Sequence, residues 1–255
     1  MDSPPRSALI VAHPGHELRV HHWLELAQPL VFVLTDGSGS DAESRLHSTE
    51  AVLGAAGARA GTVMGRFTDE ALYRAIMDGD ADAFAPVVEE IANALVEQRI
   101  EAVVADACEF YNPAHDLCRA IANLAVQRAG ANIATYEYAV VGTPDAEGLE
   151  NETVIQLDDA ALQRKIDAAN NYPELRKDVD IALRLDRLDA FRVEVLRRLD
   201  AEAPLPVPEG RAFYERAGEE HVVAGRYETV LRHDEHFAPL VATLASRVVP
   251  MLAAR

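Results

Sequence analysis

Hydrophobic residues along the chain fall into short dense runs separated by stretches in which they recur every three or four positions. Dense runs predict buried strands, and the recurrent spacing predicts helices. Residues 7–12, SALIVA, form the first run; turn residues follow, and Val20, Trp23, Leu24 and Ala27 then keep helical spacing. The alternation repeats. PLVFVLTDG reads as a second strand, SRLHSTEAVLGAAG as a helix closed by Gly54 or Gly57, and ARAGTVMG as a weaker third strand. A helix is predicted over 82–98 and a fourth strand at IEAVVADA. Residues 113–129 predict a helix with Leu117, Ala120, Ile121, Leu124 and Ala125 on one face, and NIATYEYAVV a fifth strand.

Strands that alternate with helices at this spacing need right-handed crossovers. The first 140 residues therefore predict an α/β fold, a Rossmann-like, doubly wound, mainly parallel sheet covered on both faces. The rest changes character. Helices are expected over 158–170 and 174–199, separated by Asn170-Asn171-Tyr172-Pro173, with Ile181, Leu185, Leu188, Val195 and Leu199 as the buried stripe of the second. APLPVPEG at 203–210 is a stiff loop, RAFYERA and YETVLRH read as short strands, and 236–254 as a closing helix. With no internal repeat and no second core, residues 1–255 read as one domain. Its sheet core is 1–140, and 141–255 is a helical carboxy-terminal extension packed on it.

Charge narrows the partners. Lys plus Arg number 24 against 42 Asp plus Glu, a net charge of −18 that repels phosphate backbones and anionic lipid. Arg184, Arg187, Arg192, Arg197 and Arg198 lie among acidic residues and form no basic patch, so no nucleic-acid partner is expected. No apolar stretch approaches the ~20 residues that span a bilayer. The start MDSPPRSALIVAHPGHE lacks the pattern of a secretory signal, so the expectation is a soluble cytoplasmic protein without membrane insertion. Cys108 and Cys118 are expected as reduced thiols.

Ligands of an open parallel sheet bind beyond the carboxyl ends of its strands, where strand order reverses. There the first strand runs into His13-Pro14-Gly15-His16-Glu17, the second into Thr35-Asp36-Gly37, and the fourth into Asp106 and then Glu109 to Asp116. In a 3-2-1-4-5 order the first and fourth strands are neighbours, so His13, His16 and His115 converge. Three histidines with an open fourth position are the ligand count of a catalytic zinc centre. Each histidine alone reads more readily as a hydrogen bond to a loop carbonyl; the convergence is what points to metal. Pro14 forces His13 extended, Gly15 permits a sharp turn, and Asn112-Pro113 suit an N-cap and first helical position that put His115 in the first turn. HELRVHH fails the i, i+4 spacing of a metalloprotease helix, and His233 and His236 are expected at the surface.

ALIVAHPGHE, VFVLTDG, the helix carrying Arg45, Glu50 and Leu53-Gly54, and NPAHD after the fourth strand together resemble the PIG-L and LmbE-like family of metal-dependent N-acetylglucosaminyl de-N-acetylases. The likeness spans about the first 140 residues. Members usually carry Ala-His-Pro-Asp-Asp-Glu, whose His and second Asp bind zinc and whose first Asp is the general base. The resemblance implies that His13 and His115 are ligands, that His16 replaces the ligand Asp, and that Gly15 stands where the base belongs. Asn112 stands where many members have a histidine that stabilises the oxyanion; with Arg45 it is expected to contact substrate. Exchanging Asp for neutral His raises the charge of the site and acidifies water bound there. Otherwise Glu17, by proximity, or Asp36, by its strand-end position, is the expected base, with Glu109 and Asp116 as further candidates. Restoring Asp at position 15 is then expected to raise the rate. The implied function is a hydrolase using zinc or another divalent metal to cleave an N-acyl amide on an amino sugar or related small conjugate. The alternative is a metal- or sugar-binding member that lost its base, and a non-metal enzyme on sugars or nucleotides is a third. The expected partner is a small-molecule substrate, with homo-oligomerisation left open.

Overall fold

The computed structural model describes residues 5–39, 43–130, 132–142, 152–177, 179 and 191–249. Its seven-stranded sheet has the order β3-β2-β1-β4-β5-β7-β6. The strands are β1 (Ser7–Val11), β2 (Leu30–Thr35), β3 (Arg59–Phe67), β4 (Ala102–Asp106), β5 (Ala134–Tyr138), β6 (Glu152–Gln156) and β7 (Val193–Leu199). The first five pair in parallel, which sustains the predicted doubly wound order 3-2-1-4-5. β1, β2 and β4 are buried along their whole length, as solid apolar runs in a sheet covered on both faces must be.

The helices are α1 (His21–Ala27), α2 (Leu46–Ala56), α3 (Asp69–Met77), α4 (Ala81–Glu97), α5 (Pro113–Ala129), α6 (Asp159–Asn170), α7 (Phe213–Val223) and α8 (Ala238–Val248). Strand side chains alternate between two cores. Ala8, Ile10, Phe32, Leu34, Val103 and Ala105 pack toward α4, α5 and α8. Leu9, Val11, Val31, Val33 and Val104 pack on the other face with Leu24 of α1 and Val52 and Leu53 of α2. Of the two glycines offered as the close of α2, Gly57 takes the left-handed conformation, at φ 75°. Both cysteines are unpaired; Cys118 is buried with its thiol on the Ile10 carbonyl. Among the described residues no helix is long and apolar enough to cross a membrane.

The carboxy-terminal part departs from expectation. Val195 and Leu199, assigned to a helix over 174–199, lie on β7, which runs antiparallel between β5 and β6; Ile181, Leu185 and Leu188 fall outside the described residues. Val195 and Leu199 keep helical spacing, but pairing with two strands selects the extended conformation. RAFYERA, expected as a strand, opens α7, while most of YETVLRH is irregular. Of the closing helix expected over 236–254, Ala238–Val248 is α-helical after a π turn at His233–Phe237, and 250–254 lie outside the described residues.

Glu194 explains why β7 is needed. Its carboxylate accepts the His22 and Trp23 N–H groups at 2.9 and 2.8 Å, capping α1, whose own N-cap residue Val20 offers no side-chain acceptor. Lys165 closes the charge at 2.8 Å and also donates to the Arg19 carbonyl at 2.7 Å. Glu194 and Lys165 are both buried. Glu194→Ala strands an ammonium in the interior and is expected to cost about 3–5 kcal/mol in a denaturant titration. Asp159→Ala, at an exposed pair with Arg192, is expected to cost under about 1 kcal/mol.

Candidate metal centre

β1 delivers His13 to the crevice, and the chain then turns at Gly15, whose φ of 102° is left-handed. A short 3-10 helix, His16–Val20, follows, so His16 doubles back toward His13. From β4, Asn112 caps α5 by accepting the Ala114 N–H at 2.8 Å, and Pro113 occupies its first turn, which sets His115 against the same point. The three imidazole centroids lie 5.2 Å (His13 to His16), 5.3 Å (His13 to His115) and 4.6 Å (His16 to His115) apart.

Two of the rings are oriented from behind. His13 Nδ1 meets Asp69 Oδ1 at 3.0 Å and Thr35 Oγ1 at 2.8 Å; His16 Nδ1 meets Asp106 Oδ2 at 2.7 Å. Asp106 is fully buried and also accepts the Ala12 N–H and the Tyr138 hydroxyl, both at 2.8 Å. A carboxylate acceptor assigns the proton to Nδ1 and leaves the lone pair on Nε2. Burial pushes the His13 and His115 imidazoles below their ordinary range, and the neighbouring imidazoles add to this. Burial alone raises a carboxyl; at Asp69 and Asp106 the contacts with His13 and His16 outweigh it and hold both low.

The donor set suits a divalent metal. His13 Nε2 and His115 Nδ1 are buried without a hydrogen-bond partner, and buried polar atoms of that kind need one. An imidazole nitrogen binds zinc at about 2.0–2.1 Å, so rings arranged tetrahedrally around one ion stand about 5 Å apart, centre to centre. Carboxylates behind ligand histidines are the usual orienting partners. The nitrogens themselves are not converged. Among the described residues no group of three His, Cys, Asp or Glu side chains is arranged to hold an ion as it stands.

The remaining sequence candidates are loop braces. Glu17 is fully buried: Oε2 accepts the Gly15 N–H and Oε1 the Thr49 hydroxyl, each at 2.8 Å, and burial raises its carboxyl. Asp36 Oδ1 accepts the Ser38 N–H at 3.0 Å in the turn after β2. Arg45 donates from Nε to the Gly37 carbonyl, under the same turn. Glu109 binds the Val140, Val141 and Gly142 N–H groups. Asp116, raised by burial to about 6, binds those of Glu109 and Phe110. Asn112 Oδ1 also accepts the Tyr73 hydroxyl at 2.9 Å. His233, expected at the surface, is buried against Phe110 and Phe237. Asp69 was not anticipated at the site. Asp69 enters on α3, whose sequence signal was Thr68 as N-cap, acidic residues after it, and Leu72 and Ile76 one turn apart.

Gly15 is crowded. A Cβ there would fall inside the Leu175 side chain, with the Tyr172 ring 3.7 Å away. The space beside Gly15 is thus filled by the segment after α6.

No family model matches the sequence, and no curated protein matches it. Solved structures do. The A40926 pseudoaglycone deacetylase Dbv21 superposes with a TM-score of 0.56 at 19% identity, over 80% of this chain and 100% of that one. The deacetylase–teicoplanin complex from teicoplanin biosynthesis gives 0.53 at 16%, over 76% and 99%. The zinc-inhibited form of teicoplanin deacetylase Orf2 gives 0.52 at 16%, also over 76% and 99%. Across so little shared sequence the likeness is one of architecture, and the chain has the α/β fold of these deacetylases.

Proposed function

We propose that the protein is a hydrolase of the deacetylase type that uses zinc or another divalent metal to cleave an N-acyl amide on an amino sugar or related small conjugate. The observation that carries this is the cluster of His13, His16 and His115 at the switch point, with Asp69 and Asp106 behind two of the rings. The zinc-inhibited form of a structural neighbour is consistent with a metal-responsive site in this fold. His13, His16 and His115 hold the ion in this reading. The chemistry supplied by a bound divalent ion is polarisation of the amide carbonyl and acidification of water.

The chain's own groups do the rest. Asp69 and Asp106 retain the Nδ1 protons and so keep a lone pair on Nε2 of His13 and His16. Asn112, with Oδ1 committed to Tyr73 and Ala114, has its Nδ2 amide to donate to the oxyanion. Both oxygens of the Glu17 carboxylate are committed, to Gly15 and Thr49, whereas Asp36 holds the Ser38 N–H through Oδ1, so in this reading Asp36 is the strand-end carboxylate that takes the proton of the attacking water.

A second reading has its own observation. The filled space at Gly15 favours a protein that kept the fold to bind metal or sugar after losing the base. Zinc-loaded protein incubated with N-acetylated sugars, sugar nucleotides and amide conjugates separates the two by appearance of free amine. On the substrate that reacts, Asp36→Asn is expected to lower kcat/KM by roughly 10²-fold or more with metal content unchanged. Stoichiometric zinc with no amine from any compound selects the binding protein.

A further inference from the structure

Tyr111, on the loop that leads into α5, meets two side chains of α7, Phe213 and Arg216. Tyr111 stacks on Phe213 with ring centroids 4.5 Å apart and planes 9° apart. Arg216, one turn along α7 from Phe213, lies over the Phe213 ring with Cζ 5.8 Å from its centroid. Phe213 thus stacks on Tyr111 and has a guanidinium over its ring. Tyr111 and Phe213 are each 43% exposed, so the stacked pair is only half covered.

The stack is mounted rigidly. The Phe213 N–H donates to the Phe110 carbonyl at 2.8 Å, and Asp116 holds the Glu109 and Phe110 N–H groups at 3.1 Å each. Phe110 itself sits at φ 54°, a conformation that bulky residues keep only when their surroundings impose it. Tyr111 is the neighbour of Asn112, and four residues of chain cannot carry it more than about 15 Å from His115. Two half-exposed aromatic rings, held parallel beside a polar site, match the way binding sites combine apolar platforms with a few polar groups.

We propose that the outer face of Tyr111 is a stacking platform for an uncharged aromatic ring of the substrate, joined to the acylamino group that the histidine cluster receives. The proposal rests on the hydrolase reading for the identity of that group. A parallel pair is extended most readily by a third flat ring, since offset stacking repeats without new geometry. A net charge of −18 disfavours an anionic ring.

The test is binding, so that it does not depend on turnover. Zinc-loaded protein is titrated with phenyl and with methyl N-acetylglucosaminide and followed by saturation-transfer NMR. Tyr111→Ala, Tyr111→Leu and Tyr111→Phe are measured alongside, with the circular dichroism spectrum as the check on folding. The phenyl compound is expected to bind about three- to tenfold tighter than the methyl one, with its ring protons the most strongly saturated. Tyr111→Phe keeps the difference; Tyr111→Ala and Tyr111→Leu abolish it. Equal affinities in the wild type, absence of ring saturation, or a phenyl preference that survives in folded Tyr111→Ala overturns the proposal. If the phenyl preference is found and no amine is ever released, the platform stands and the hydrolase reading falls.

Discussion

Replacing His115 by alanine is expected to lower the zinc affinity of the protein by about 10²–10³-fold. Structural zinc sites bind with about 10–16 kcal/mol shared over four ligands, about 2.5–4 kcal/mol per ligand, and each 1.4 kcal/mol is tenfold. The same loss is expected for His13→Ala and His16→Ala. Asp106→Asn keeps all three imidazoles but weakens the acceptor behind His16, and is expected to cost only about 10–100-fold. His47→Ala, at an exposed imidazole paired with Glu174, is expected to change nothing. Competition with a chromogenic chelator ranks the variants. Full zinc retention by His115→Ala would show that the cluster is not the metal centre.

Gly15→Asp is expected to destabilise the protein by about 2–4 kcal/mol and to gain no rate. Two terms add. A side chain at φ 102° is strained, at about 1–3 kcal/mol, and the new Cβ must displace Leu175, at about 1 kcal/mol or more. The end of Leu175 can swing aside, whereas the backbone cannot. Leu175→Ala in the same molecule is therefore expected to recover the packing share alone. Urea midpoints of Gly15→Ala, Gly15→Asp and the double variant separate the shares. A rate increase in Gly15→Asp on any amide would reverse the reading of Leu175 as the group that fills the space beside Gly15.

Much of this was legible along the chain because local and global signals agreed. Asn112-Pro113 at one end and Gly130 at the other bracket α5, and the solid apolar runs of β1, β2 and β4 admit only a covered parallel sheet. The three histidines stood out because motif and topology independently bring them to one crevice. The direction of a neighbouring side chain is not so encoded. Glu17 is adjacent to His16 in sequence, yet the 3-10 turn points its carboxylate to Thr49 of α2 and to Gly15. Asp69 lies 56 residues from His13 on a nine-residue helix, and nothing short of the packed sheet selects it over other acidic residues. β7 was misread because its buried positions are Glu194 and Leu196 instead of its valines. A buried charge breaks the apolar alternation that marks a strand.

That buried glutamate also sets an order of assembly. The hydrogen bonds from His22 and Trp23 to Glu194 span 172 and 171 residues, and the Lys165 bond to Arg19 spans 146. Contacts of such separation form late, because the entropy of closing the intervening loop precedes any reward from the contact. During synthesis β1 and the histidine turn emerge before Lys165 and Glu194, the groups that fasten the residues just after that turn. His13 and His16 are thus made well before the contacts that lock the following segment in place.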